Sequence, residues 1–169
     1  MRGFFVGRFQ PFHLGHRCFV TDIAKEVDEI VIGIGSAQAS HTAKNPFTAG
    51  ERVSMIHRTV TELAPTTYAV PIEDLHRNSV WVSHVVATTP PFDVAYSNNP
   101  LVRRLFEEAG FEVRGVRLYQ RDEYSGTEIR RRMHEGEQWR HLVPDPVAVV
   151  IDKVDGVERL KRVSKQIDE

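Results

Sequence analysis

Cysteine is almost missing from this sequence. Cys18 is the only one in 169 residues, so no disulfide can form within the chain and a reducing, cytoplasmic compartment is expected. No apolar run approaches the length of a membrane span, and the balance of charges gives a net of −1, so neither a membrane nor a nucleic acid is expected as partner. Met1-Arg2 leads directly into the first apolar run, leaving no room for the apolar region of a signal peptide, so export is not expected. The glycine fingerprint of dinucleotide sites, Gly-x-Gly-x-x-Gly, does not follow the first strand, and no Walker lysine loop occurs. Both absences disfavour a redox Rossmann enzyme and a P-loop NTPase. Lysine is scarce beside arginine, the better fork for phosphate and carboxylate oxygens, although a GC-rich genome produces the same bias.

What is present is an alternation. The length suits one domain, taken as residues 1–169, with a C-terminal helical extension from about residue 144. Phe4-Phe5-Val6 reads as a strand, and Leu14, Cys18, Phe19, Ile23 and Val27 have helical spacing. Ile30 to Ile34 reads as a buried strand. Thr48 to Glu51 is a capping box that opens a helix with an expected buried stripe of Val53, Ile56, Val60 and Leu63. Tyr68 to Pro71 makes a weak third strand, Ser79 is placed to cap a third helix, and Pro90-Pro91 stops that helix before a strand over Phe92–Tyr96. Pro100 starts a helix that ends at Gly110, and Glu112–Val116 is the fifth strand. Val147, Val150, Ile151, Val154, Leu160, Val163 and Ile167 continue with helical spacing, packing on the sheet or in a homo-oligomer. Strands alternating with helices over short links predict an α/β fold, a Rossmann-like doubly wound parallel sheet of five strands with helices on both faces.

Ligands of such sheets bind beyond the carboxyl ends of the strands, where strand order reverses. The segment from Gly7 to His16 leaves the first strand there. A helix start aims unpaired N–H groups and the positive end of its dipole at one point, and Arg8, His13 and His16 add side-chain donors around it. His13 and His16 stand three apart on one helical face and can reach a single anion together. Read without further context they are equally a pair of helix N-terminal histidines or a fragment of a metal site, and no zinc-ligand spacing supports the latter. Ser125-Gly126-Thr127-Glu128 is a second capping box, followed by Arg130, Arg131 and Arg132. Ser125, Thr127 and Arg130 suit a polyphosphate, whereas Arg131 and Arg132 lie on other faces.

The His13-Leu14-Gly15-His16 and Ser125-Gly126-Thr127-Glu128-Ile129-Arg130 segments together resemble the signatures of the nucleotidyltransferase superfamily of adenylyl and cytidylyl transferases. A finer resemblance, to the archaeal-type nicotinamide mononucleotide (NMN) adenylyltransferase family, is carried by Gly33 to Gln38, Asn45 to Arg52, Asn78 to Val82, Thr89 to Asp93 and Tyr96 to Val102. It covers nearly the whole chain. It implies transfer of the adenylyl group of ATP to NMN, giving NAD and pyrophosphate, with magnesium carried on the ATP phosphates. It also implies that His13 and His16 contact those phosphates, His16 stabilising charge on the reacting one, with Gly7 and Arg8 nearby. Ser125, Thr127 and Arg130 would hold the departing pyrophosphate, and Lys44 would reach over from its loop. Trp81 and Asn78 would meet NMN, although helical pattern alone makes Trp81 a core aromatic. Asn98 and Asn99 follow the fourth strand and would serve the adenosine side, although Asn before Pro is also ordinary turn chemistry.

The acceptor is not fixed by the catalytic signatures, which read ATP, so flavin mononucleotide and phosphopantetheine stand as alternatives. A module that senses nucleotides without catalysis is the alternative of a different class. Cations and N–H donors with no catalytic carboxylate or cysteine fit phosphate as nucleophile: its second pKa is about 6, so it needs no general base near neutrality.

Overall fold

The computed structural model describes residues 1–63, 66–119 and 122–165. Five strands form one sheet: β1 (Arg2–Gly7), β2 (Glu29–Ile34), β3 (Thr67–Pro71), β4 (Val94–Tyr96) and β5 (Glu112–Arg114). All neighbours are parallel, in the order β3-β2-β1-β4-β5. The helices are α1 (Leu14–Ile23), α2 (Ala49–Val60), α3 (Asn78–Thr88), α4 (Pro100–Glu108), α5 (Gly126–Glu135), α6 (Asp145–Lys153) and α7 (Gly156–Lys165), with a short 3-10 turn at Arg140–Leu142. This is the doubly wound arrangement expected.

Alternation along β1 and β2 divides the core in two, because successive side chains of a strand face opposite sides. Phe5, Ile30, Ile32 and Ile34 join Val20 and Ile23 of α1, Met55 and Ile56 of α2, Ile129 and Met133 of α5, and the apolar residues of α6 and α7. Phe4 and Val31 point the other way, into Val82 and Val85 of α3 and Phe106 of α4. On that side Phe4 stacks on Phe92 with ring centroids 4.7 Å apart. The C-terminal helices bury Val147, Val150, Ile151 and Leu160 within the chain, against α2 and α5. They form two helices, α6 and α7, and Ile167 lies outside the described residues.

Several sequence expectations need correction. The buried face of α2 is Arg52, Met55, Ile56, Thr59 and Val60, whereas Val53 is half-buried and Leu63 lies past the helix end. The stripe is displaced because a guanidinium occupies a core position. Ser79 does not cap α3; the N-cap is Arg77, two residues earlier, and it makes no side-chain cap bond. The last two strands are shorter than Phe92–Tyr96 and Glu112–Val116. There the Asn98 amide replaces strand pairing, accepting from Val116 N–H at 3.0 Å and donating to its carbonyl at 2.6 Å. That engagement speaks against a free role for Asn98 toward adenosine. Cys18 is half-buried rather than on the buried face of α1, and Val27 lies beyond that helix's end.

From β1 the chain builds outward to β2 and β3, then returns to place β4 on the other side of β1. The carboxyl ends of β1 and β4 therefore diverge into a crevice, which is where ligands of open α/β sheets bind.

Candidate active site

That crevice is a cleft of about 620 Å³, lined by His13, Gly15 and His16 of the β1–α1 segment, Ser97 to Pro100 after β4, Val116 and Tyr119 after β5, and Tyr124 to Gly126 at the start of α5. A second cavity of about 280 Å³ shares Val6, Ser97 and Asn99 with it and adds Gly7, Arg8, Asp74 and Trp81. A third, of about 290 Å³, continues from Asp74 and Trp81 to Asn78, Leu101 and Leu105. The second volume adjoins both others through shared lining residues. The largest is bordered by three helix N-termini, those of α1, α4 and α5, and the two smaller ones share Trp81.

The two histidines cap α1 reciprocally. His16 N–H donates to His13 Nδ1 at 3.4 Å, and His13 N–H donates to His16 Nδ1 at 3.1 Å. Because each Nδ1 accepts, each neutral ring carries its proton on Nε2, a donor left for a ligand. The rings stack with centroids 3.6 Å apart, and the rings of Phe9 and Phe12 lie 4.8 and 5.3 Å from that of His16. Burial pushes the His13 pKa down to about 3; burial, with His13 as a lesser cause, pushes His16 well below the ordinary range. Gly15 is required between them, since a Cβ there would lie 2.9 Å from the His13 ring and 3.2 Å from Tyr124.

Three guanidiniums surround the loop that joins β1 to α1. Arg8 is exposed and donates to Asn45 Oδ1 at 3.3 Å. Arg130 is buried and donates to the Gln10 carbonyl at 2.7 Å and to Thr127 Oγ1 at 3.5 Å. Arg52 is fully buried and bonds only to carbonyls: Thr48, Arg8, Gly35, Ser36 and Ala39. Burial, and then the charge of Arg8, lower the pKa of Arg52 and of Arg130 to about 10 each. Among the described residues, none of the three forms an ion pair with a carboxylate. Cations held together without counterions are prepared for an anionic ligand.

The structure brings His13, His16, Asn99 and Ser125 to the large cleft, and Gly7, Arg8 and Trp81 to its smaller neighbour; Asn78 lines the third cavity. Thr127 and Arg130 follow Ser125 on the first turns of α5 and line none of the three cavities. Lys44 is exposed on the loop between β2 and α2 and lines none of the three cavities. Asn99 caps α4, its Oδ1 accepting from Leu101 and Val102 N–H. Ser125 caps α5, accepting from Glu128 N–H at 3.1 Å. The expected box is only half formed, because the Glu128 carboxylate turns to Arg131 and Arg132. Arg131 also pairs with Glu135 and Glu137, so both of these arginines serve the outer surface. Half-buried Trp81 lies edge-on to Phe106, centroids 5.6 Å apart.

Sequence reading missed Arg52, Gln10 and Asp74. Gln10 is buried and bonds both backbone groups of Phe47 at 2.9 Å, which fastens the loop before α2 to the loop after β1. Burial opposes the charge of Asp74, but hydrogen bonds from Gln38 and Ser36 outweigh it and lower its pKa. A polar residue two or three places past a strand that ends at a site, as Gln10 is, was the available signal. Among the described residues, no group of three or more His, Cys, Asp or Glu could hold a metal, and no helix is long and apolar enough to cross a membrane.

Residues 4–132 match the model of the family described as cytidylyltransferase-like. A nicotinamide-nucleotide adenylyltransferase of Halorubrum lacusprofundi is 62% identical over 165 residues, which cover 98% of this chain and 94% of that one. Its namesake in Methanosarcina mazei is 63% identical over 163 residues, covering 96% and 94%. A crystal structure of a bifunctional NMN adenylyltransferase/ADP ribose pyrophosphatase from Francisella tularensis, complexed with AMP and a manganese ion, superimposes with a TM-score of 0.79 at 21% identity. That alignment covers 98% of this chain but only 53% of the bifunctional one, and it bears on the fold alone.

Proposed function

Since the chain belongs to the cytidylyltransferase-like family, we infer that it carries out the reaction for which its near-full-length relatives are named: it is a nicotinamide-nucleotide adenylyltransferase, moving AMP from ATP to NMN. An oxygen of the NMN phosphate forms a bond to the α-phosphorus of ATP, the bond from that phosphorus to the β-phosphate oxygen breaks, and NAD and pyrophosphate result. The attacking phosphate is already mostly dianionic at neutral pH, so no base is required. Catalysis reduces to aligning two polyanions and offsetting their charge.

What carries the assignment of parts is the pair of Nε2–H donors of His13 and His16 on the larger cleft beside Arg8 in the adjoining cavity. Arg130 is held to the loop between β1 and α1, and neither guanidinium is paired with a carboxylate among the described residues. ATP would occupy the larger cleft, with His13 and His16 donating to the α-phosphate and the start of α5, Ser125, Thr127 and Arg130, holding the β and γ phosphates. Arg8 lines the neighbouring cavity, where it can serve the phosphates of both substrates, and Asn99, shared by the two, retains Nδ2 as a donor. Lys44 would close over the triphosphate from its loop. NMN would lie across the smaller cavities, its ring against Trp81, with Asn78 and the ionised Asp74 as hydrogen-bonding partners. Magnesium would ride on the triphosphate, with phosphate oxygens and water as ligands, a mode that needs no dedicated protein cluster.

The cytoplasm is the proposed location, supported by the single free cysteine. A homo-oligomer is proposed on the exposed Val86 and Val149, and light scattering tests it. The reaction is tested by supplying ATP, NMN and magnesium and reading NAD with a coupled dehydrogenase; no NAD would overturn the assignment. Parallel turnover with flavin mononucleotide and phosphopantetheine tests the acceptor, and preference for either would displace NMN.

A further inference from the structure

The loop that carries Lys44 and Asn45 is held from behind by the last helix. α7 opens at Gly156, where a Cβ would stand 2.7 Å from the Phe47 ring, an approach only glycine allows. One turn on, Arg159 pairs through Nη1 and Nη2 with both oxygens of Glu51 at 2.7 and 2.9 Å, and Nη1 also donates to the Pro46 carbonyl at 3.1 Å. The two side chains are 17% and 16% exposed, so this bidentate pair is not a solvated surface contact. The same Glu51 accepts from Thr48 N–H, completing the cap of α2. On its other side Phe47 is gripped by the Gln10 amide, and the Gln10 carbonyl in turn receives Arg130. Asn45, two residues before Phe47, receives Arg8.

We propose that Arg159 is a positioning residue for the ATP triphosphate: through Glu51 and Pro46 it sets the Lys44–Thr48 segment, and through Phe47 and Gln10 it sets Arg130. The proposal rests on reading Lys44, Arg8 and Arg130 as phosphate-binding. It assigns a function to a helix outside residues 4–132, the span of the family match. None of the linked groups is free to compensate, since Pro46 and Phe47 are buried and both Phe47 backbone groups are already engaged. Displacements near 1 Å of groups that align a reacting phosphate cost up to about a hundredfold in rate, so a loosened clamp is measurable.

The test compares Arg159→Met and Arg159→Lys with the unaltered protein. The expected result for Arg159→Met is a KM for ATP raised about tenfold, with the KM for NMN within about twofold, and partial recovery in Arg159→Lys, which keeps one donor but loses the fork. Combined with Lys44→Ala the effects should be less than additive, because Lys44 acts from the segment that Arg159 fixes. An unchanged KM for ATP, equal rises for both substrates, or strict additivity would overturn the proposal. Should Arg159→Met fail to fold, Glu51→Gln and Arg159→Lys are read by the same measures. Calorimetric titration with magnesium-ATP alone separates this proposal from the assigned reaction. If the unaltered protein binds ATP but makes no NAD, weaker ATP binding in Arg159→Met still supports the clamp while the reaction falls. If it makes NAD and Arg159→Met binds ATP normally, the clamp falls alone.

Discussion

The imidazoles of His13 and His16 stack 3.6 Å apart while each Nδ1 accepts the other residue's backbone N–H, so one pair of side chains both starts α1 and presents two Nε2 donors to the cleft. Structure and chemistry are joined at these rings. His16→Ala should lower kcat by at least about a hundredfold, the usual effect of losing one preorganised charge stabiliser. The His13 cap survives, since residue 16 keeps its backbone N–H, and loss of only the reciprocal bond from His13 N–H to the His16 ring should lower stability by less than the ~1 kcal/mol of a full N-cap. The coupled NAD assay and a thermal melt measure the two effects separately, and near-normal turnover would remove His16 from the chemistry.

The same burial makes the unliganded protein sensitive to acid. In the unfolded chain both groups titrate near the ordinary histidine value of about 6.5. In the folded chain burial holds His13 down to about 3 and His16 well below its ordinary range. Between those limits the unfolded state binds more protons, so stability is complete above about pH 6.5 and declines as pH falls toward 3. Melting temperature should therefore drop from pH 7 to pH 5. His13→Asn, which keeps an acceptor for the cap, should flatten that slope; an identical slope would show that His13 does not contribute.

The parallel sheet was legible because its strands are short apolar runs separated by helical periods, and proline and glycine mark ends such as Pro100 and Gly110 at φ +89°. The histidine segment was legible as a helix start at a strand exit, and the serine segment as a helix start. What was not legible is how polar side chains hold the loops. Hydrophobic pattern excludes a cation from the core, yet Arg52 is fully buried because five carbonyls from three segments face it. Histidine is not among the usual capping residues, so the reciprocal cap of His13 and His16 carried no signal. The Asn98 amide could not be seen to replace strand pairing with Val116, because that requires the register of β4 and β5.

Gly15 offers a test in which two effects oppose. Alanine in place of glycine ordinarily favours a helix by about 1 kcal/mol. Here the new Cβ would meet His13 Cε1 at 2.9 Å, His13 Nδ1 at 3.0 Å and the Tyr124 Cβ at 3.2 Å. The ring must move, which breaks the cap and misdirects Nε2. Gly15→Ala should therefore show no gain in melting temperature and at least a tenfold loss of kcat, in keeping with the cost of displacing an aligned group. A more stable variant with full turnover would mean that the ring has room to yield.

Trp81 decides between acceptor contact and core packing, since it borders two cavities and also lies edge-on to Phe106. Removing a purely structural ring would lower stability and affect both substrates alike. Removing a stacking surface loses about 0.5–1.5 kcal/mol beyond area burial, so the KM for NMN should rise by about two- to tenfold in Trp81→Ala while the KM for ATP stays within about twofold. Trp81→Phe keeps a ring in the same place and should recover most of the NMN affinity. Stability measured on the same samples accounts for the lost contact with Phe106. Equal changes for ATP and NMN would return Trp81 to the core and leave Asn78 and Asp74 as the residues that select the acceptor.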